Sequence, residues 1–298
     1  MSLVIALGGN ALGRGTAAEQ LTVLRGACAA IAPLLREGEV VVTHGNGPQV
    51  GNELLRQERA ADEVPPLPLF LAVAQTQAEI GAMLETELAA ATGRQVACLL
   101  THVHVDPDDP AFASPSKPIG PFYSAEEAPE LERRRGWQLV EDAGRGFRRV
   151  VPSPDPLEIV ELDAIRALLA SGAVTIACGG GGIPVVSKNG RLKGVDAVID
   201  KDRASALLAT RLGAQRLVIL TEVPAVYRRF RKSNQEEIRE LSADEAESLL
   251  PELAEGSMRP KLEAAVDFAR TGGETLITSF DALAEALEGQ AGTLVSKT

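Results

Sequence analysis

Residues 40–47, which read VVVTHGNG, are a short apolar run followed at once by a glycine-rich turn. An apolar run of this length is typical of a strand buried on both faces of a parallel sheet. The same arrangement recurs at residues 3–10 (LVIALGGN) and 174–182 (VTIACGGGG). Ligands of open α/β sheets bind beyond the carboxyl ends of the strands, and glycine lets the backbone approach an anion closely. The three turns therefore predict a parallel sheet with an anion site built from several loops at one edge.

Segments with helical periodicity alternate with further apolar runs along the chain. Helices are predicted at residues 17–36, 49–60, 69–91, 162–170, 202–212, 261–270 and 282–288, and further strands at residues 96–102, 216–220, 275–278 and 293–295. Asn189-Gly190 predicts a tight hairpin, and Ser242 with Glu245 predicts a capping box at the start of another helix. The alternation predicts an α/β fold with a mostly parallel sheet covered on both faces.

Residues 104–150 differ in composition from the rest of the chain. This segment holds six prolines and five of the ten aromatic residues, namely Phe112, Phe122, Tyr123, Trp137 and Phe147. The aromatic residues predict a small core of their own. We therefore expect one domain over residues 1–298 with a protruding subdomain at residues 104–150 inserted within it.

Composition excludes several classes of protein. The chain has 298 residues, with 30 basic and 41 acidic side chains and a net charge of −11. This balance argues against a nucleic-acid partner, which normally meets a basic face. The hydrophobic share of 45% is too high for a disordered chain. Neither a signal peptide nor a membrane span is expected, because no apolar run has the required flanks or length. The widely spaced Cys28, Cys98 and Cys178 predict free thiols in a cytoplasmic protein.

Lysine is scarce, with 7 lysines against 23 arginines, so each lysine is informative. Lys201 stands beside Asp202 at the start of a predicted helix. Two interpretations stay open there: an Asp N-cap with a solvated lysine, or a lysine that meets a phosphoryl group while Asp202 holds it. Lys261 follows Pro260 in a first helical turn, where a bound anion explains its charge better than helix stability does. Lys117 lies in a proline-framed loop, for which plain solvent exposure and a role in a site both stay open.

Two nucleotide-binding motifs nearly fit the glycine turns. Residues 8–15 have the glycine spacing of a P-loop, but Arg14 stands where that motif needs its lysine. Residues 45–51 are one residue too long for the dinucleotide fingerprint. An NAD-dependent dehydrogenase therefore stays only as an alternative.

The three histidines do not predict a metal site. His102 and His104 fall on one face of a strand, as metal ligands often do. His44 is the only other histidine, however, and catalytic zinc usually has three protein ligands. We expect His44 to shape its glycine turn rather than to act as a base.

Seven strings of this sequence form a recognisable set. They are residues 6–12 (ALGGNAL), 43–51 (THGNGPQVG), 114–123 (SPSKPIGPFY), 149–154 (RVVPSP), 176–185 (IACGGGGIPV), 197–205 (AVIDKDRAS) and 256–261 (GSMRPK). Together they resemble the carbamate kinases of the amino acid kinase family. The resemblance implies a three-layer αβα sandwich with a mostly parallel central sheet, a small protruding subdomain and a homodimer. It also implies reversible phosphoryl transfer between carbamoyl phosphate and ADP, giving ATP and carbamate, with Mg²⁺ bound mainly through nucleotide phosphates and water.

The resemblance further implies roles for individual residues. Lys201 and Lys261 would neutralise the phosphoryl oxygens, Asp202 would organise the lysines, and Lys117 would reach in from the subdomain. The implied phosphate-binding positions, several of them through backbone N–H groups, are Gly8, Gly9, Asn10, Gly45, Asn46, Gly47, Gly180 and Gly181. The implied nucleotide-binding positions are Thr221, Val223, Tyr227, Met258 and Lys261.

Two features depart from the family pattern, and both bear on the nucleotide. Arg259 stands where the family usually has glycine, and residues 227–232 (YRRFRK) are unusually basic for a segment that flanks the adenine. The alternatives to a carbamate kinase are a kinase of another small carboxylic or amino acid, the dehydrogenase, and a non-catalytic ligand-binding homologue.

Overall fold

A computed structural model of the chain describes residues 2–8, 15–142, 145–253 and 257–298. Its strands are β1 Ser2–Leu7, β2 Glu39–His44, β3 Val96–Cys98, β4 His102–Val105, β5 Lys117–Tyr123, β6 Gln138–Glu141, β7 Phe147–Val151, β8 Pro156–Ile159, β9 Val174–Ile176, β10 Ile183–Lys188, β11 Arg191–Gly194, β12 Arg216–Thr221, β13 Val226–Arg228, β14 Glu236–Ile238, β15 Glu240–Ser242, β16 Glu274–Ser279 and β17 Thr293–Ser296. Its α-helices are α1 Ala17–Ile31, α2 Gly47–Ala60, α3 Leu69–Thr92, α4 Pro110–Ala113, α5 Ala128–Arg135, α6 Leu162–Ala170, α7 Lys201–Leu212, α8 Ala243–Leu249, α9 Met258–Arg270 and α10 Leu283–Leu287.

The central sheet has the strand order β15-β17-β16-β12-β1-β2-β9-β3. From β16 to β3 all neighbouring strands are parallel, whereas β17 is antiparallel to β16. Leu7 lies opposite both Leu220 and His44, so β1, β12 and β2 end at the same edge. The predicted mostly parallel α/β sheet is therefore confirmed.

Alternate residues of each central strand pack on opposite faces of this sheet. Val4 and Ala6 of β1 belong to a core formed with α6, α7, α8 and α9. Ile5 and Leu7 belong to a second core, formed with α1, α3 and α10. Two hydrophobic cores on the two faces, aliphatic apart from residues such as Phe268, produce the αβα sandwich. Among the described residues, no helix is long and apolar enough to cross a membrane.

The predicted strand at residues 96–102 is present only as far as Cys98, because the chain turns within it. β3 ends at Cys98 in the central sheet, and β4 begins at His102 in a second sheet with the order β11-β10-β4-β8. The backbone N–H of Thr101 donates to Oε1 of Gln77 at 2.6 Å, and its carbonyl accepts from Ile183 at 2.8 Å. These tertiary bonds redirect the chain at a point that the apolar pattern does not mark.

Other local predictions agree closely with the structure. Asn189 and Gly190 have φ values of 53° and 73°, as the tight hairpin requires. Ser242 and Glu245 form the predicted capping box of α8. Helix α1 ends five residues before the predicted end at residue 36, because a 3-10 turn that contains Pro33 follows it.

Residues 117–151 contain a third sheet, of order β5-β7-β6. Its Ile119 and Val151 pack against the α2 and α3 side chains Val50 and Val73. The predicted core of five aromatic residues is present only in part: the Tyr123 and Trp137 rings pair with their centroids 6.3 Å apart, whereas Phe112 packs against the central core. The Phe122 ring is 40% exposed and lies beneath the guanidinium groups of Arg145 and Arg148, at 4.7 and 5.1 Å. The short strands bury aliphatic residues, and aromatic rings such as Phe122 cover the outside with arginine partners.

Helix α2 connects this sheet to the central one. Gly51 of α2 faces Gly120 of β5, where a Cβ on Gly51 would lie 3.5 Å from the Cα of Gly120. Two turns further along α2, the Tyr123 hydroxyl donates to the Glu58 carboxylate at 2.9 Å. Lys117 at the start of β5 is thereby held in register with α2.

Candidate active site

Three lysines meet two aspartates at the start of α7. Lys117 donates to Oδ2 of Asp200 at 2.7 Å. Lys201 donates to Oδ1 of Asp202, and Lys261 donates to Oδ2 of the same carboxylate at 3.2 Å. The structure thus brings together the three predicted lysines and Asp202, although they come from β5, α7 and α9.

Asp200 is a residue of this cluster that the sequence argument did not single out. It is the N-cap of α7, and its Oδ1 accepts from the backbone N–H groups of Asp202 and Arg203 at 2.9 and 3.4 Å. Its Oδ2 remains for Lys117. The N-cap interpretation therefore holds for Asp200, but Lys201 beside it is only 12% exposed and is not a solvated lysine. The spacing Asp-Lys-Asp at a helix start was the available signal.

The charges of the cluster alter the pKa values of its members. Burial opposes ionisation of Asp200, yet Lys117 and Lys201 hold the pKa of that carboxyl well below its ordinary range. Burial lowers the pKa of Lys201 despite the attraction of Asp202. Burial also works against the charge of Lys261, but Asp202 outweighs it and raises the pKa of Lys261. With all five groups ionised, one positive charge is in excess, which suits an anionic ligand.

The glycines at the ends of β1 and β2 use their N–H groups within the sheet. Gly8 donates to the Leu220 carbonyl at 3.0 Å, and Gly45 donates to the Leu7 carbonyl at 3.1 Å. The expectation that these two N–H groups bind a phosphoryl group is therefore not met in this structure, because they continue the parallel ladder. A Cβ at Gly8 would lie 2.8 Å from the Leu220 oxygen, so close packing requires glycine there. Gly9 and Asn10 lie outside the described residues.

The turn after β2 leads directly into α2. Asn46 is the N-cap residue, and its buried side chain donates to the Thr76 hydroxyl at 3.0 Å. Gly47 is the first residue of the helix. The N–H groups of a first helical turn have no partner within the helix and carry partial positive charge. Pro48 has no N–H, so the donors of this turn are the N–H groups of Gly47 and Gln49. Of the predicted phosphate-binding positions, Gly47 therefore has the geometry of an anion site, and Asn46 orients the turn that leads to it.

The four-glycine turn after β9 packs against both neighbouring parts of the site. A Cβ at Gly180 would lie 2.3 Å from Nδ2 of Asn46, and a Cβ at Gly181 would lie 2.3 Å from the Ile199 carbonyl oxygen. The Gly181 N–H donates to the Cys178 carbonyl at 3.0 Å. Gly180 and Gly181 thus join the Asn46 turn to the start of α7 by close contact.

The predicted nucleotide-binding positions belong to β12 and the segment after it, and to the start of α9. Thr221 is the last residue of that strand, and Val223 lies in the loop that follows. Tyr227 is in β13, with its ring centroid 5.9 Å from that of Phe230. Met258 begins α9, the helix that carries Lys261.

Three of the unusual basic residues of this region have acidic partners. Arg228 pairs with Glu252 at 3.6 Å, and Arg229 pairs with Glu236 at 3.0 Å. Arg259 donates from Nε to Glu263 at 3.0 Å. The positive charge near the nucleotide positions is therefore smaller than the sequence suggests.

The histidines have structural contacts. His102 Nδ1 lies 2.8 Å from a Glu161 oxygen, and His104 Nε2 accepts from the Ser187 N–H at 3.0 Å. His44 is fully buried with Nδ1 2.9 Å from the Gly45 carbonyl, and burial lowers its pKa to about 4. The described part of the chain contains no group of three or more His, Cys, Asp or Glu side chains arranged for a metal ion.

These features define an α/β protein whose parallel sheet presents, at one edge, a helix N-terminus, glycine turns and a lysine cluster. A sequence model of the amino acid kinase family matches residues 1–279. The carbamate kinase of Staphylococcus haemolyticus is 47% identical over 307 residues, which cover 99% of each chain. The chain covers 98% of carbamate kinase 3 of Staphylococcus aureus at 46% identity.

Solved structures agree with these sequence comparisons. The carbamate kinase of Giardia lamblia bound to AMP-PNP superposes with a TM-score of 0.91 at 39% identity, over 100% of this chain and 98% of that one. A protein of Aeropyrum pernix K1 superposes with a TM-score of 0.93 at 43% identity over the whole of both chains. The chain therefore belongs to the amino acid kinase family and, within it, to the carbamate kinases.

Proposed function

We propose that this protein transfers a phosphoryl group reversibly between carbamoyl phosphate and ADP, giving ATP and carbamate. The observation that carries the proposal is the convergence of Lys117, Lys201 and Lys261 on Asp200 and Asp202, beside the Asn46–Gly47 helix start. The similarity of the whole chain to carbamate kinases supports the same reaction. Three of only seven lysines lie within this one cluster.

Phosphoryl transfer requires the protein mainly to position the two substrates and to stabilise negative charge. An oxygen of the ADP β-phosphate attacks the phosphorus of carbamoyl phosphate, the bond between phosphorus and the carbamate oxygen breaks, and carbamate leaves as an anion. Charge spreads over the equatorial phosphoryl oxygens in such a transfer. Lys201 and Lys261 neutralise these oxygens, and the N–H groups at the start of α2 bind them. Since carbamate is already an anion, no residue has to remove a proton.

Asp202 keeps the two lysines in place when the site is empty. Its carboxylate is shared between Lys201 and Lys261, so both Nζ atoms lie on the same side of the α7 start. Asp200 does the same for Lys117. The incoming phosphoryl oxygens then meet cations that are already oriented, which lowers the cost of reorganisation during reaction.

ATP and ADP enter as magnesium complexes. Both carboxylates of the cluster are engaged with lysines, and Mg²⁺ in kinases is bound largely through substrate phosphates and water. This favours a metal carried in by the nucleotide over one held by a set of protein ligands. Thr221, Val223, Tyr227 and Met258 contact the nucleotide in this proposal.

Formation of ATP from carbamoyl phosphate and MgADP, coupled to hexokinase, tests the function. Lys201→Ala removes a preorganised charge donor and should lower kcat by about 100-fold or more, on the order of 3 kcal/mol. Lys188→Ala changes an exposed lysine of the β10–β11 hairpin and should leave kcat unchanged. Wild-type turnover in Lys201→Ala would refute the assignment.

Two alternatives have their own discriminating measurements. Comparable rates with acetyl phosphate or an amino-acid phosphate would indicate a kinase of another small acid. Protection against thermal unfolding by NAD but not by ADP would indicate a dehydrogenase. The structure disfavours the latter, because Gly51 of the near-fingerprint lies inside α2 and faces Gly120 rather than forming a phosphate-binding turn.

We further propose that residues 1–298 act as one domain with the 104–150 subdomain inserted in it, and that the protein is a cytoplasmic homodimer. The separate β5-β7-β6 sheet supports the subdomain. Cys28, Cys98 and Cys178 are free thiols, as a reducing compartment favours. Sedimentation equilibrium of the purified protein tests the dimer.

A further inference from the structure

Gln77 of α3 directs its carboxamide at the four-glycine turn. The residue is only 1% exposed. Its Nε2 donates to the Gly179 carbonyl at 2.8 Å and to the Thr101 carbonyl at 3.4 Å, while its Oε1 accepts from the Thr101 N–H at 2.6 Å. Both N–H bonds and the oxygen of the side chain are therefore engaged with backbone groups, which fixes the orientation of the amide.

The turn has a backbone conformation that needs such support. Cys178, which is not a glycine, has a φ of 51°, and Gly180, Gly181 and Gly182 have φ values of 65°, 88° and 92°. Left-handed conformations at non-glycine residues persist only where the surroundings hold them.

Thr101 accepts two further hydrogen bonds from this turn. The Cys178 N–H donates to the Thr101 hydroxyl at 3.0 Å, and the Ile183 N–H donates to its carbonyl at 2.8 Å. Gln77 in turn binds both the N–H and the carbonyl of Thr101. Through these hydrogen bonds the two residues fix the turn at its beginning, Cys178, and at its end, Ile183.

The four-glycine turn is packed between α3 and the candidate active site. On the α3 side, a Cβ at Gly179 would lie 2.7 Å from Cγ of Gln77. Gly180 contacts the Asn46 side chain, and Gly181 contacts Ile199, the residue before Asp200. A turn packed this tightly on both sides cannot shift without moving Asn46 or the start of α7.

We propose that Gln77 is a positioning residue for phosphoryl transfer. It touches no substrate; it fixes the four-glycine turn, and the turn fixes Asn46 and the Asp200–Lys201 helix start. This inference rests on the proposed function. Displacements of about 1 Å remote from the chemistry cost rates on the order of 100-fold. Loss of the Gln77 hydrogen bonds should therefore lower kcat much more than it changes KM.

Gln77→Met tests this inference, since methionine keeps the volume and removes all three hydrogen bonds. We expect kcat for ATP formation to fall about 10- to 100-fold, with KM for carbamoyl phosphate within about threefold of the wild-type value. Arg94→Met is the matched control. Arg94 also binds backbone carbonyls, those of Leu35, Gly38 and Gly172 at 2.7, 3.0 and 2.7 Å, but at the opposite edge of the central sheet. It should lower Tm while keeping wild-type kcat well below the unfolding temperature.

The outcomes separate this inference from the proposed function. An inactive wild-type protein would refute the function itself. An active wild type together with a folded Gln77→Met of unchanged kcat would overturn the positioning role alone. If Gln77→Met does not fold, Gln77→Asn takes its place, because it keeps a carboxamide but withdraws it by one methylene from Gly179 and Thr101. A tenfold lower kcat in folded Gln77→Asn supports the role, and an unchanged kcat overturns it.

Discussion

The interaction energy of the Lys117–Asp200 pair can be measured separately from the stabilisation that Asp200 provides as the N-cap of α7. Asp200→Asn removes the charge but keeps an N-cap, because asparagine is as good an N-cap residue as aspartate. Lys117→Met removes the ammonium and keeps most of the side-chain stem. The double variant closes a thermodynamic cycle from which the pair's interaction energy follows.

The magnitude follows from the environment of the pair. Nζ of Lys117 and Oδ2 of Asp200 are 2.7 Å apart, and the side chains are 31% and 12% exposed, respectively. Exposed pairs contribute about 0–1 kcal/mol, and breaking a fully buried pair costs about 3–5 kcal/mol. This half-buried pair should therefore have a coupling energy of about 1–3 kcal/mol in the free energy of unfolding.

Urea unfolding followed by circular dichroism on the four proteins at pH 7 gives this coupling. The ordinary pKa of the Asp200 carboxyl is 3.8, and the fold holds it lower, so its contribution is complete above that value and is lost as the pH falls below it. The stability difference between wild type and Asp200→Asn should shrink accordingly below about pH 4. A coupling under about 0.3 kcal/mol at pH 7 would refute the reasoning, because the contact would then be a surface pair.

Two further predictions follow from buried groups. The pKa of His44 falls from its ordinary 6.5 to about 4 on burial, so the unfolded chain binds a proton more readily and stability decreases by about 2–3 kcal/mol as the pH falls from 6.5 to 4. His44→Gln should have a correspondingly flatter dependence of unfolding free energy on pH, and equal slopes in the two proteins would contradict the burial argument. Burial raises the pKa of Cys98 to about 11 and of Cys28 to about 12, and raises that of Cys178 further. All three thiols should react with a disulfide reagent at pH 8 about 100-fold or more slowly in the native protein than in urea; one fast thiol in the native protein would show that its burial is not maintained.

Much of the site could be predicted because its residues carry local signals. Lys201 and Lys261 stand at helix starts, Lys117 lies in a distinctive proline-framed string, and the glycine turns follow apolar strands. The lysine partner of Asp200 could not be predicted in this way, since Lys117 is 83 residues distant along the chain. The pairing depends on how β5 lies against α2.

Other features depend on tertiary register alone. Whether the N–H groups of Gly8 and Gly45 face a ligand or a neighbouring carbonyl depends on how far each strand extends past its neighbour. The break at Thr101 has the same origin, because the apolar pattern continues across it while tertiary hydrogen bonds turn the chain. A buried glutamine such as Gln77 has no sequence signal at all, since its partners are backbone atoms of distant residues.

The course of α2 has a consequence for how this sequence can change over evolutionary time. The helix begins at the Asn46 turn, leaves room for little more than a methyl group between Gly51 and Gly120, and ends near the Glu58–Tyr123 bond. Residues 46–58 and 117–123 therefore form one structural unit, in which a side chain larger than a methyl group at Gly51 would need a compensating change in β5, while Gly120 is restricted by its φ of 73°. Exchange of the 104–150 subdomain between relatives should succeed only when the matching α2 is exchanged with it.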